Sequence, residues 1–192
     1  MCARYYLDGY LLEDIQQIVS GTDEDLYIGR REVSPTDTAP VILRHRGELY
    51  CESMIWGYKG FEGKDVIFNA RSESAGEKRL FRDSLISRRC VVPAVHFYEW
   101  NKAKEKVTFR LPGSRMVFLG GLYRMEDNIP HFVILTTGAN DSMRPVHDRM
   151  PLIIKREHIS DWITDSGRTE EFLQMKMPEL RRSQEYEQQS LF

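Results

Sequence analysis

Four places along this chain carry residue types that could do chemistry. Cys2 follows Met1, and a small second residue permits release of the initiator methionine, leaving Cys2 with both a free α-amine and a thiol. Reference pKa values of about 7.7–8.0 for the amine and about 8.5 for the thiol give each a usable reactive fraction at neutral pH. Such a 1,2-aminothiol can act as a nucleophile with its own amine as base. It can also condense with an aldehyde, the amine forming a Schiff base that the sulfur closes into a thiazolidine. The run Asn69-Ala70-Arg71-Ser72-Glu73 stands where an apolar strand stops. Asn supplies a donor and an acceptor there, and Arg a planar fork suited to phosphate or carboxylate. Glu99 lies between Tyr98 and Trp100, and a carboxyl held among aromatics is the setting in which general acids and bases are tuned. Alternation puts Glu99 on the face of Phe97, opposite Tyr98 and Trp100. His147 opens His147-Asp148-Arg149-Met150-Pro151, a loop position suited to proton transfer near neutral pH.

Each place also has a plainer reading. Cys2 can be a chance residue of a frayed terminus, Asn69 an Asx-type turn before a solvated Arg71, Glu99 an outward residue of an amphipathic strand, and His147 a ring capped by Asp148. Arg4 carries no signal by itself. His45, His131 and His158 lack a partner signal and read as structural, and the eight methionines as core filling.

These residues need elements to position them. Leu11, Leu12, Ile15, Ile18 and Val19 recur at helical spacing, with Gly21 as C-cap. Pro35 and Pro40 punctuate a loop, and VILRHRGELYCES reads as a hairpin turning near Arg46-Gly47. DVIFNA is a short strand. A helix is expected from about Ser74 to Ser87, with Leu80, Phe81 and Leu85 inward and Lys78, Arg79 and Arg82 outward. CVVPA, HFYEW, KVTFRL, MVFLGGLY, HFVILTT and PLII follow as strands, with ISDWIT and 169–175 as short helices. Strands outnumber helices without a βαβ rhythm. The fold class is therefore α+β, a largely antiparallel, barrel-like β core surrounded by helices. No linker is visible, so residues 1–192 read as one domain, with a polar tail mobile from about 181.

Hydrophobic residues make up 41% of the chain, charged residues 29% and aromatics 11%, an ordinary globular composition. No run approaches the roughly 20 apolar residues of a membrane span. Asp and Glu in MCARYYLDGYLLEDIQQ occupy the place of a secretory h-region. Cys2, Cys51 and Cys90 form no CxxC pair, which argues against a disulfide scaffold or structural zinc and for a reducing, cytoplasmic setting. The net charge of −2 speaks against a generic basic coat for nucleic acid. The charge is uneven, however. Acid gathers in 13–37 and the tail, and base at 78–82, 88–89, 144–149 and 155–156, which fits local binding with a short footprint.

Taken together, these motifs resemble the SRAP (SOS response-associated peptidase) family of abasic-site processing proteins. The resemblance is collinear. It runs through Met1-Cys2-Ala3-Arg4, Trp56-Gly57, the block 69–73, the Arg-Cys-x-x-Pro-Ala-x-x-Phe-Tyr-Glu-Trp block 89–100 and the block 147–151, and closes on Tyr-Glu-Gln-x-Ser-Leu-Phe. The resemblance implies that Met1 is released by self-processing. Cys2 then forms a thiazolidine DNA–protein crosslink with the ring-opened aldehyde of an abasic site in single-stranded DNA, shielding the lesion. It further implies that Asn69 positions the α-amine and the sugar, that Glu99 is the acid/base of crosslink formation and lyase-type reversal, and that His147 assists ring opening. Arg4, Arg71 and Arg149 would hold phosphates, and Trp56 and Trp100 would stack on or wedge beside bases. No cofactor, metal or membrane is implied, and the expected state is a monomer, nucleoid-associated in a bacterium.

Three departures stand out: Ala3 where the family has Gly, Val95-His96 where it has small or acidic residues, and Tyr58-Lys59-Gly60-Phe61 where longer members have Pro-x-Trp. Two other functions fit the residues. One is an N-terminal-nucleophile thiol peptidase or hydrolase acting on an amide through the same Cys2. The other is a non-catalytic RNA- or nucleotide-binding β-barrel.

Overall fold

Runs of β-branched and aromatic residues separated by tight turns build two large sheets in the computed structural model, which describes residues 2–60, 63 and 65–184. In chain order the strands begin with β1 (Arg4–Leu7), β2 (Gly21–Thr22), β3 (Arg31–Val33), β4 (Thr38–His45) and β5 (Glu48–Trp56). β6 (Tyr58–Lys59), β7 (Val66–Ile67) and β8 (Asn69–Arg71) are short, and β9 (Arg89–Ala94), β10 (His96–Trp100) and β11 (Lys106–Arg110) come next. Last are β12 (Val117–Glu126), β13 (Ile129–Gly138), β14 (Arg149–Pro151) and β15 (Arg181–Gln184).

The larger sheet runs β13-β12-β9-β4-β5 and closes into a barrel because β5 pairs in parallel with β13, Ile55 opposite His131 and Trp56 opposite Phe132. The other joins in this ring are antiparallel, as the sequence led us to expect. β13 is the hub of this sheet. One of its edges pairs with β12 and then, where β12 diverges, with β14; the other carries β5 and then β8. The second sheet, in the order β15-β11-β10-β1-β3, holds the start of the described chain.

The hairpin turns at Arg46 and Gly47, both at positive φ, as read from the sequence. Other expectations need correction. The first helix, α1 (Leu11–Gln16), ends before Gly21, which instead joins β2 with a Cβ position only 3.0 Å from the Tyr50 ring. The helix expected over 74–87 is two, α2 (Ser72–Ala75) and α3 (Arg79–Ser87), because Lys78 is extended between them. DVIFNA breaks at Phe68 into β7 and β8, and in PLII the sheet pairing beyond Pro151 reduces to one bridge, Ile153 to Leu119. The two later helices form, as α4 (Ile159–Thr164) and α5 (Thr169–Leu173). The stretch from 181, expected to be mobile, is β15 as far as Gln184, since its backbone completes the open edge of β11; the rest of that tail lies outside the described residues. Among the described residues no helix is long and apolar enough to cross a membrane.

Two core features matter for the site. Trp56 is wholly buried, its ring 5.1 Å from Tyr5 of the second sheet and stacked at 6.1 Å on Phe132 of the barrel, while its Nε1 donates to the Phe68 carbonyl at 2.9 Å. It is therefore the peg between the two sheets. Gly57 follows at φ +120°, and a Cβ there would sit 2.3 Å from Val66, so the Trp-Gly step requires glycine. Replacing Trp56 with Ala is expected to cost about 3–5 kcal/mol of unfolding free energy, and with Phe a smaller amount, read from denaturant midpoints.

Candidate functional site

Cys2 sits just before β1, fully buried, and its backbone carbonyl accepts a 2.9 Å hydrogen bond from Asn69 Nδ2. Asn69 is held in β8 opposite Ile134 of β13, so this single bond ties the start of the second sheet to the barrel. The Asn69 Oδ1 is buried and has no hydrogen-bond partner among the described residues. It is an acceptor beside Cys2 with nothing to accept. Burial pushes the Cys2 thiol well above the ordinary range, and the negative charge of nearby Glu99 adds to this; a backbone hydrogen bond at Arg4 opposes both. At neutral pH the sulfur is a thiol, and its attack requires a group that takes the proton.

Glu99 is such a group. It is 4% exposed and lies on the inward face of β10 with Phe97, which stacks on Phe109 of β11 at 5.4 Å. The outward reading of Glu99 is thereby excluded. The hydrophobic strands β10 and β11 hold this carboxyl close enough to Cys2 for its charge to raise the thiol.

His147 ends the turn 140–148 that leads into β14, and this turn packs against the second sheet. Pro145 and Val146 line a cavity of about 150 Å³ with Asn101, at the end of β10, and with Arg182, Ser183 and Gln184 of β15. The Arg149 backbone N–H donates to His147 Nδ1 at 3.0 Å, which puts the proton of the neutral ring on Nε2. The Asp148 carboxylate also lies 3.0 Å from Nδ1, a capping contact that is attractive only when Nδ1 itself carries a proton.

The arginines divide. Arg71 is exposed at the end of β8. Arg4 is half-buried, bonded to Glu32 at 3.2 Å, with its guanidinium 5.7 Å over the Trp100 ring. Arg149 behaves differently from the expectation. Its side chain is 14% exposed, and its fork grips Glu73 at 2.7 and 2.8 Å while Nη2 also donates to the Thr136 carbonyl at 2.6 Å. A carboxylate already fills the place of a phosphate. Glu73, part of the 69–73 block, and Thr136, which had no sequence signal, are thus site residues that pattern alone did not single out. Trp100 is 37% exposed and open to meet a base, whereas the buried Trp56 has no face to offer one. The structure brings Cys2, Asn69, Glu99 and the His147 turn to the junction of the two sheets and removes Trp56 to the core. Among the described residues no group of three or more His, Cys, Asp or Glu is placed to hold a metal, and the three cysteines are unbridged.

The comparisons agree with one another. The model of the family described as SOS response associated peptidase (SRAP) matches residues 1–189. The chain is similar to the abasic site processing protein YoqW of Bacillus subtilis (strain 168), 30% identical over 191 residues, which covers 91% of this chain and 85% of that protein. It is also similar to the abasic site processing protein YedK of Escherichia coli (strain K12), 29% identical over 181 residues, with coverage of 85% and 79%. A crystal structure of a protein from Bordetella bronchiseptica superposes with a TM-score of 0.79 over 95% of this chain and 99% of that one, at 21% identity. That likeness shows the fold.

The His96 departure has a physical setting. The ring is 5% exposed, lies flat on Tyr6 at 4.9 Å, and its Nε2 is 2.7 Å from the Tyr98 hydroxyl. Burial, reinforced by the positive charges of Arg110 and Lys106 and opposed by Glu32, lowers its pKa from 6.5 to about 4. Below pH 6.5 the unfolded chain binds a proton that the folded one refuses until about pH 4. This contribution is therefore fully present above pH 6.5 and lost as the pH falls to about 4, by at most about 3 kcal/mol. In His96→Phe the fall of the denaturant midpoint across that window is expected to shrink.

Proposed function

Because the chain belongs to the SOS response associated peptidase family, we propose that it is a DNA-repair protein that processes abasic sites in single-stranded DNA by a covalent bond to Cys2. The observation that carries this reading is the buried triangle of Cys2, the Asn69 amide on its carbonyl, and Glu99 close enough to raise the thiol.

In the chain as translated the Cys2 nitrogen is part of the Met1–Cys2 peptide, and release of Met1 turns it into an amine. That amine is the donor which the vacant Asn69 Oδ1 suits. It adds to the C1′ aldehyde of the ring-opened sugar, one nitrogen proton passing to oxygen. Loss of water then gives the Schiff base, with Glu99 protonating the departing hydroxyl. The Cys2 sulfur next adds to the same carbon and closes the thiazolidine. Its proton returns by way of Glu99 to the nitrogen, so that one water is lost overall. Reversal, a lyase-type step, runs the same transfers backwards. His147, with its proton on Nε2, serves the sugar ring oxygen during opening. Arg71 and Arg4 take the neighbouring phosphates, with Arg149 behind them as a brace held by Glu73, and Trp100 lies against a base.

A thiol hydrolase acting on an amide would use the same Cys2, and release of Met1 by the chain itself would be its simplest instance. The exposed Arg71, one residue beyond Ala70 on β8, favours a phosphodiester over a generic peptide.

Incubation of the purified protein with single-stranded DNA bearing one abasic site is expected to give a shifted band on a denaturing gel without any reductant; no covalent band would overturn the reading. Cys2→Ser is expected to give no stable band, because the oxazolidine analogue and an open Schiff base hydrolyse. Glu99→Gln is expected to slow formation or reversal by about 10²–10⁴-fold in single-turnover time courses. Intact mass is expected to show the loss of Met1.

A further inference from the structure

Alternation along the second sheet separates two faces. Tyr5, Phe97, Glu99 and Phe109 point to the core. The opposite face carries Arg4, Tyr98, Trp100, Lys106, Arg110 and Arg181, brought together by the register Arg4 to Tyr98, Trp100 to Lys106 and Arg110 to Arg181. These residues come from widely separated parts of the chain, and none belongs to the basic runs visible in the sequence.

Three observations indicate what this face accepts. First, its charge is unbalanced: Arg4, Lys106, Arg110 and Arg181 face the single carboxylate of Glu32, which bonds both Arg4 and Lys106. Arg110 and Arg181 oppose each other directly across two strands, an arrangement that costs stability unless an anion lies between them. Second, cations rest on rings: the Lys106 ammonium is 3.8 Å from the Tyr98 centroid and the Arg4 guanidinium is over Trp100. Tyr98 is buried beneath Lys106, so the ring open to a base is Trp100, with phosphates left to the charges. Third, the face borders the reaction centre across the strand edge: Arg4 is two residues from Cys2, and Trp100 ends β10 beside Glu99, whose own side chain points to the other face. From β1 to β15 it spans three strand spacings, about 14 Å, room for a few nucleotides.

We propose that this outer face is the track for the single strand flanking the lesion, with Lys106, Arg110 and Arg181 on its phosphates and the exposed Trp100 beside its bases. The assignment deepens the function proposed above and rests on it for the identity of the strand. It explains how a chain of net charge −2 holds DNA: the capture surface is small, and the covalent bond supplies permanence.

The test is equilibrium binding of an undamaged, labelled single strand of about 20 nucleotides to the full chain, from about 50 to about 200 mM salt. Lys106→Glu/Arg110→Glu is expected to weaken binding at low salt about tenfold or more and to reduce the slope of log Kd against log salt by about 1.4, two phosphate contacts on a single strand. Glu32→Gln, which releases Arg4 and Lys106, is expected to bind about threefold tighter, a gain that misfolding cannot produce. Unchanged affinity and slope in both variants would overturn the proposal. So would a duplex of the same sequence that binds more tightly than the single strand and suffers the same loss. If undamaged strands behave as expected but abasic strands give no covalent band, the crosslinking function fails while the track stands; if the band forms and the variants bind as wild type does, the track alone fails.

Discussion

The hydrogen bond from Asn69 Nδ2 to the Cys2 carbonyl is the constraint on which the site depends. Cys2 has no strand of its own, because β1 begins only at Arg4. Without Asn69 this segment would hang from the edge of a sheet. With it, Cys2 is fixed to the barrel through β8 and β13, and β1 fixes the same segment against β10, which carries Glu99. Neighbouring strands of one sheet thus set Cys2 against Glu99, and Trp56 is the side chain that holds that sheet on the barrel. A side-chain amide with two polar ends suits the task. One end holds the backbone, and the other is left over for chemistry.

One buried cation elsewhere in the interior serves packing alone. Arg89 is buried yet spends its guanidinium on the carbonyls of Leu85, Ile86 and Trp162, stitching the end of α3 to α4. It is a structural cation, although in the sequence it belongs to a basic run. At the site, Asn69 Oδ1 and Arg149 Nε are buried without partners among the described residues. Such groups are costly in a finished structure, and Asp14 Oδ2, Tyr58 Oη and Arg88 Nε share that condition away from the site.

The sequence was informative where local rules decide the outcome. Period-2 alternation located the strands and put Glu99 on the correct face, and Arg46-Gly47 announced its turn. The motif spacings carried the family and with it the fold. What could not be read is what depends on non-local pairing. Trp56 sits in a motif and could have stacked on a base, but only the approach of β1 and β13 shows that both its faces are covered. Arg149 looks like a phosphate ligand until the fold brings Glu73 to it. The helix over 74–87 divides at Lys78, whose extended backbone the helical spacing of the apolar residues does not reveal. The basic face of the second sheet is invisible in a linear reading, since its cations are spread over β1, β11 and β15 and only cross-strand register gathers them.

The closure of the barrel also governs timing. The partner of Cys2, Asn69, is 67 residues further along the chain, β1 must find β10, and a parallel join between β5 and β13 completes the ring. Contacts of this separation form late and slowly, because loop-closure entropy has to be met before they contribute. Until then the thiol of Cys2 is an ordinary one: solvated, unassisted and without a proton acceptor. Asn69 and Glu99 therefore reach Cys2 only in the folded chain. The surroundings of the second residue are a product of the whole ring of strands, assembled last.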